Sequence, residues 1–219
     1  MRGCIFDLDG TLFDSMDIWA GIGPASLKKR GIMPPIDYEQ AIFKMSFTES
    51  AAYTIERFGL PCTPEELMRE WDEAAAHAFA DEVQLKPGAR EYLEALRERG
   101  FRLGVATTLH RRVYRPALER HGLLGLFDVL CGADEAPGPK SSPEVFLLCA
   151  QRLGLEPARC TVFEDLLLAM KSAKSAGMQV VGIYDATSEV DWEEIRKTAH
   201  SVLTSYEGAP LPCDEWPEE

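Results

Sequence analysis

The sequence predicts an α/β fold: a mostly parallel sheet covered by helices on both faces, with an all-helical insertion close behind the first strand. Two patterns support this reading. Short apolar or β-branched runs that look like buried strands alternate with segments of helical period, as in chains whose parallel strands are joined by helical crossovers. One interval, residues 15–83, breaks that alternation and holds helical patterns only.

The first strand is read in GCIFD, residues 3–7. Four helical stretches follow in the insertion. The first runs from Met16 to Arg30 and is stopped by Gly31 and the Pro34–Pro35 pair; the second covers Tyr38 to Lys44; the third runs from Thr48 to Phe58 and ends at Gly59 and Pro61. The fourth, TPEELMREWDEAAAHAFA, has Thr63 as N-cap, Pro64 at the first helical position and Glu66 completing a capping box. Pro87 and Gly88 mark the return to the sheet. In AREYLEALRERG, Tyr92, Leu93, Leu96 and Arg97 keep the three-four spacing of a helix that Gly100 ends. The remaining strands are read in residues 101–107 (FRLGVAT), 127–131 (FDVLC), 160–164 (CTVFE), 179–184 (QVVGIY) and 201–204 (SVLT). The division expected is an α/β core domain over 1–14 and 84–205, a helical cap domain over 15–83, and a loosely packed tail over 206–219, rich in acids and prolines and without a functional role.

Composition narrows the function classes. With 219 residues, 46% of them hydrophobic and 27% charged, the chain has material for a substantial core. Its net charge of −13 has acids and bases interspersed, and the longest basic cluster is Lys28–Lys29–Arg30. Nucleic-acid binding calls for basic patches that displace counterions from phosphates, so DNA and RNA are excluded as expected partners. No early stretch has the make-up of a signal peptide, and no apolar run approaches the ~20 residues needed to cross a bilayer. The reading is a soluble cytoplasmic protein without membrane association, a monomer or weak dimer. Six scattered cysteines (Cys4, Cys62, Cys131, Cys149, Cys160, Cys213) form no C-x-x-C pair, which speaks against a disulfide framework or a zinc site.

Residues 4–15 read CIFDLDGTLFDS and concentrate three acids. In an extended segment residues two apart point the same way, so Asp7 and Asp9 both project beyond the sheet's C-terminal edge before the Asp9–Gly10 break. Two carboxylates ~4 Å apart repel by roughly 4 kcal/mol at an effective dielectric of about 20, and a hard cation relieves that. Carboxylate donors without imidazole or thiolate favour magnesium or calcium over zinc. A calcium-binding helix–loop–helix site needs further acids at alternate positions and a closing Glu. Here Leu12 stands where a polar ligand is wanted, so Mg2+ is expected.

Open parallel sheets bind ligands outside the carboxyl ends of their strands. That edge also gathers Thr107 and Thr108 after residues 102–106, and Glu164 and Asp165 after residues 160–163, with Lys140 within reach from the loop APGPKSSPEVF. Acids for a metal, hydroxyls for an oxygen-rich ligand and one cation make a parts list for phosphoryl transfer.

With these residues assembled, the chain resembles the haloacid dehalogenase-like hydrolase superfamily, and within it the branch of small-molecule phosphatases and β-phosphoglucomutase-like proteins with a helical cap behind the first motif. Four motifs carry the likeness in order: DLDGTLFDS at 7–15, GVATT at 104–108, KSSPEVF at 140–146 and VFEDLLLAMKSAKSAGM at 162–178. The resemblance implies a Rossmann-like core. It implies Asp7 as a nucleophile that takes the phosphoryl group as an aspartyl-phosphate, and Asp9 as the acid that protonates the leaving oxygen and then activates water. It also implies Mg2+ held by the Asp7 carboxylate, the Asp9 carbonyl and the Asp165 carboxylate, with Glu164 just outside. Thr107 would bind the phosphoryl group with help from backbone amides near Leu8 and Thr108, and Lys140 would balance charge on nucleophile and phosphate. The chain departs from the family pattern at Leu166, Ala169 and Ser141, none of which is a metal ligand or the nucleophile.

The activity expected is therefore hydrolysis of a small phosphorylated metabolite. A sugar-phosphate mutase would use the same Asp7, but the mutases of this branch typically carry a His shortly after the first motif, where this chain reads SMDIWAG, with Trp19. Haloacid dehalogenation dispenses with the second acid, present here as Asp9, and phosphonate cleavage would need a Schiff-base lysine. A weakly catalytic or non-catalytic phosphate-binding module is the alternative from another class. Substrate choice is assigned to the insertion: Lys44 and Ser46, in the polar stretch KMSFTES with Thr48, would meet the substrate, and Trp19 would wall its pocket. Asp14, with Ser15, would cap the first inserted helix or form part of a hinge there, the other hinge lying near 82–87.

Overall fold

The computed structural model describes residues 1–42, 45–136 and 138–212. In chain order the described elements are β1 (Gly3–Phe6), β2 (Phe13–Asp14), α1 (Met16–Lys29), α2 (Asp37–Ile42), α3 (Phe47–Phe58), α4 (Pro64–Asp81), β3 (Gln84–Leu85), α5 (Ala89–Glu98) and β4 (Arg102–Ala106). They continue with α6 (Arg111–Arg120), β5 (Val129–Cys131), α7 (Glu144–Leu153), β6 (Cys160–Glu164), α8 (Leu167–Ser175), β7 (Gln179–Ile183), α9 (Trp192–Thr198) and β8 (Ser201–Leu203).

Six strands form one parallel sheet in the order β5-β4-β1-β6-β7-β8. The chain steps outward from β1 through β4 and β5, then returns to the other side of β1 for β6, β7 and β8. Strand order therefore reverses at β1, the place where open α/β sheets bind ligands. Ile5 aligns with Gly104 on one side and Val162 on the other, so β1, β4 and β6 end side by side.

All four residues of β1 are buried, and their side chains alternate between the two faces. Cys4 and Phe6 join one apolar cluster with Phe163, Leu93 and Leu96, while Ile5 joins a second with Val162, Phe146 and Cys149. Phe6 and Phe163 stack with centroids 4.2 Å apart. Gly104 in β4 has a steric reason: a Cβ there would come 2.4 Å from Cys149 Sγ, so glycine lets α7 lie close on the sheet.

Helices α1 to α4 occupy the interval expected to be helical, and their apolar spacing explains the packing. Leu67, Trp71, Ala75 and Phe79 recur every four residues and form the buried face of α4. Tyr38 of α2 shares a 2.8 Å hydrogen bond with Thr54 of α3, and Arg30 at the end of α1 pairs with Glu70 of α4 at 2.5 Å. The capping box of α4 forms as the sequence requires: the Glu66 amide donates to Thr63 Oγ1 at 3.3 Å, and the Thr63 amide to Glu66 Oε2 at 2.9 Å.

Three features differ from expectation. The entry to and exit from the helical stretch pair with each other as an antiparallel ribbon, β2 with β3, Phe13 aligned with Leu85 and Asp14 with Gln84. Ser15 precedes α1, but its hydroxyl makes no capping bond and turns toward Asp9 instead. The tail expected to start loosely at residue 206 begins packed: Tyr206 is 3% exposed, and its ring lies 5.1 Å from that of Tyr92. Residues 213–219 lie outside the described residues. Among the described residues no helix is long and apolar enough to cross a membrane.

Candidate active site

Asp7 continues β1 by one residue, its amide donating to Phe163 O at 3.0 Å, which sets its side chain at the sheet's C-terminal edge. Lys140 Nζ touches Asp7 Oδ1 and donates to Glu164 Oε2 at 2.8 Å. Glu164 is fully buried, and its other oxygen accepts the amides of Asp165 and Leu166, each at 3.2 Å. Asp165, the residue after β6, receives the Thr11 hydroxyl on Oδ1 at 3.0 Å. Asp7, Glu164 and Asp165 each bring an oxygen within 4.8 Å of the others.

Asp9, beside that cluster, makes its own side-chain hydrogen bonds toward the insertion. Its Oδ1 accepts Ser15 Oγ at 2.6 Å and Trp19 Nε1 at 3.0 Å. The turn that follows Asp9 is built on Leu8 O, which accepts the amides of Thr11, Leu12 and Phe13. It needs Gly10 twice: φ is +66°, in the left-handed region, and a Cβ would come 2.6 Å from Asp165 Oδ2. Thr107 follows β4, its amide donating to Cys131 O at 3.0 Å and its hydroxyl accepting the Leu109 amide at 3.2 Å. Thr107 is buried and Thr108 is exposed.

Burial dominates the electrostatics. Burial and then Glu164 push the Asp7 carboxyl up to about 8, against the pull of Lys140. Burial, Glu164 and Asp7 hold the Asp165 carboxyl well above the usual carboxylate range. Asp9 is raised by burial, with Ser15 and Trp19 pulling it back. Burial works against a charged Lys140, but Asp7 and Glu164 outweigh it and raise its pKa, so the ammonium persists. Three buried carboxylates thus face one lysine, an excess of negative charge in a low-dielectric setting that either a proton or a cation must relieve. The donors are oxygen only, which fits a hard divalent ion.

The sequence model for haloacid dehalogenase-like hydrolases matches residues 4–183. The chain belongs to that hydrolase family. It is 31% identical over 183 residues to the fructose-1-phosphate phosphatase of Escherichia coli strain K12, covering 83% of this chain and 95% of that protein. It is 28% identical over 179 residues to the phosphorylated carbohydrates phosphatase of Thermotoga maritima, covering 82% and 83%. Among solved structures, a β-phosphoglucomutase assigned in Thermotoga maritima superposes with a TM-score of 0.79 at 25% identity, over 94% of this chain and 96% of that one.

In this hydrolase the sequence-expected residues Asp7, Lys140, Glu164 and Asp165 meet at one point, with Asp9 beside them and Thr107 at the end of the neighbouring strand β4. The insertion residues fare differently. Trp19 bonds directly to Asp9, a closer role than walling a pocket. Ser46, expected to meet the substrate, is the exposed N-cap of α3, its hydroxyl accepting the Glu49 amide at 3.3 Å. Lys44 lies outside the described residues. Sequence reasoning missed Thr11, Ser15 and Tyr206 as neighbours of the site. The first two sit inside the quoted acidic motif, and their hydroxyls were the available signal.

Proposed function

We propose that this hydrolase releases phosphate from a small phosphorylated sugar or alditol, with Asp7 as nucleophile. The Asp7–Lys140–Glu164–Asp165 cluster at the point where strand order reverses, with Asp9 held next to it, is the observation that carries the reading. An Asp7 oxygen attacks phosphorus as the ester P–O bond breaks, and Asp9 gives its proton to the departing alkoxide oxygen. Asp9 then takes a proton from water as that water attacks the aspartyl-phosphate, which frees Asp7 and inorganic phosphate. Thr107 and Lys140 bind and balance the phosphoryl oxygens. The Asp7 and Asp165 carboxylates and the Asp9 carbonyl would hold a magnesium ion, with Glu164 just outside, and its charge would offset the repulsion of a phosphate dianion.

Among the relatives, the names of the fructose-1-phosphate, phosphorylated carbohydrates and hexitol phosphatases support phosphorylated carbohydrates as the substrate class. Residues 15–83 serve as a cap over the core residues 1–14 and 84–205, with the β2–β3 ribbon as its hinge. The five free cysteines among the described residues support a reducing, cytoplasmic setting. A mutase would share Asp7, but Trp19 offers Asp9 a donor that neither ionises nor accepts a proton.

The test is magnesium-dependent phosphate release across sugar, alditol, nucleotide and cofactor phosphates, with Asp7→Ala as blank. Release well above the blank for at least one carbohydrate phosphate is expected. Isomerisation driven by a bisphosphate activator without phosphate release would replace the reading with a mutase, and no turnover at all would leave a binding module.

A further inference from the structure

We infer that Tyr206, in the segment after β8, is a positioning residue for Asp165, acting through Thr11. The inference rests on the proposed role of the acidic cluster. The loop between Asp7 and β2 is tied to the rest of the molecule through two consecutive carbonyls. Tyr206 Oη donates to Thr11 O at 3.2 Å in a buried setting, and the Lys86 amide donates to Leu12 O at 2.9 Å. Thr11 is held at every polar atom: its amide donates to Leu8 O at 3.3 Å, its carbonyl accepts Tyr206, and its hydroxyl donates to Asp165 Oδ1. A residue gripped at both backbone groups presents its hydroxyl in one direction, and that hydroxyl fixes one Asp165 oxygen.

Tyr206 is itself anchored. Its ring packs on Tyr92, whose Oη donates to Pro210 O at 3.1 Å, four residues further along the same segment. The backbone at 206–207 lies directly on Gly88, where a Cβ would come 2.6 Å from Glu207 N and 2.8 Å from the Tyr206 carbonyl carbon. The segment is therefore docked on α5 and its preceding turn, and its phenol reaches the loop that carries Asp9 and Gly10. A merely packing tyrosine would need the ring; this arrangement uses the hydroxyl, because without it a buried carbonyl loses its donor and Thr11 loses one of its restraints.

Direct Mn2+ binding to the intact protein, followed by electron paramagnetic resonance, separates the two roles. Tyr206→Phe keeps the ring, so its melting temperature is expected to fall by only a few degrees, less than that of Tyr206→Leu, while its Mn2+ dissociation constant rises about fivefold. Thr11→Val should weaken Mn2+ binding at least as much, and the double variant should be no weaker than Thr11→Val alone, because the two act in series. Unchanged Mn2+ affinity in Tyr206→Phe overturns the inference, as do multiplying effects in the double variant. So does an affinity loss that tracks melting temperature across Tyr206→Phe and Tyr206→Leu. If the unaltered protein binds no Mn2+, the metal reading of the cluster and this inference fall together. If it binds Mn2+ but releases no phosphate from any ester, the hydrolytic reading falls while the positioning result stands.

Discussion

Asp7 and Asp9 are two residues apart and are given different chemistry by what touches them. Asp7 faces an ammonium that favours its ionised form, together with two buried acids, of which Glu164 opposes it. Asp9 is half-buried, and one of its oxygens collects the Ser15 hydroxyl and the Trp19 indole N–H. Both donors come from the entry to α1, so the proposed acid/base group answers to the insertion and the proposed nucleophile to the core. Asp9→Asn is expected to keep the fold, with a melting temperature close to the parent's, and to cut phosphate release by about 10²- to 10⁴-fold. Near-normal steady-state release in that variant would remove Asp9 from proton transfer. Asp7, Asp9, Lys140 and Asp165 were legible in the sequence because each stands at a strand end or in the loop before a helix, where position alone implies the shared edge. Tyr206 was not, since its partner lies 195 residues away and nothing local in an acidic, proline-rich stretch marks a buried phenol.

At the scale of elements, sequence and structure agree where a local rule decides. The helix from Thr63 has cap, proline and capping-box glutamate in place, and all six strands of the parallel sheet lie within the segments read as buried apolar runs, β6 matching its segment end to end. The ribbon β2–β3 escaped notice because two-residue strands have no period to read. It forms through the tertiary meeting of the chain's outward and return passes. Ser46 shows the limit of assigning function to polar residues between helices, because a capping box and a substrate contact ask for the same side chain. Ser46→Ala and Thr63→Ala are each expected to cost about 1 kcal/mol, lowering the melting temperature by roughly 2–4 °C. Ser46→Ala is also expected to leave the ranking of substrates unchanged. A changed ranking with unchanged stability would restore the substrate contact at Ser46.

For the whole molecule two charge balances coexist: a net −13 spread over the chain and a small buried excess at one sheet edge. The first is screened over ~8 Å at physiological salt and governs solubility; the second is shielded from water and governs the site. Without a divalent ion the Asp7 carboxyl keeps its proton up to about pH 8, whereas in the unfolded chain it ionises near 3.8. Between those values the folded protein binds more protons than the unfolded one, so its stability falls as pH rises through that window. A divalent ion held there would replace the proton as the neutralising charge, and its binding would strengthen as the proton leaves. The melting-temperature difference between magnesium-loaded and chelator-treated protein should therefore be small at pH 5 and grow toward pH 8. With magnesium at about a hundred times its dissociation constant, the stabilisation is about 2.7 kcal/mol, or roughly 5–10 °C for a chain of this size. Differential scanning fluorimetry at fixed magnesium across pH 5–8, with Asp165→Asn as comparison, reads this directly. The variant should lose most of the magnesium shift, and a shift that persists unchanged in it, or that does not vary with pH, would place the ion elsewhere on the protein.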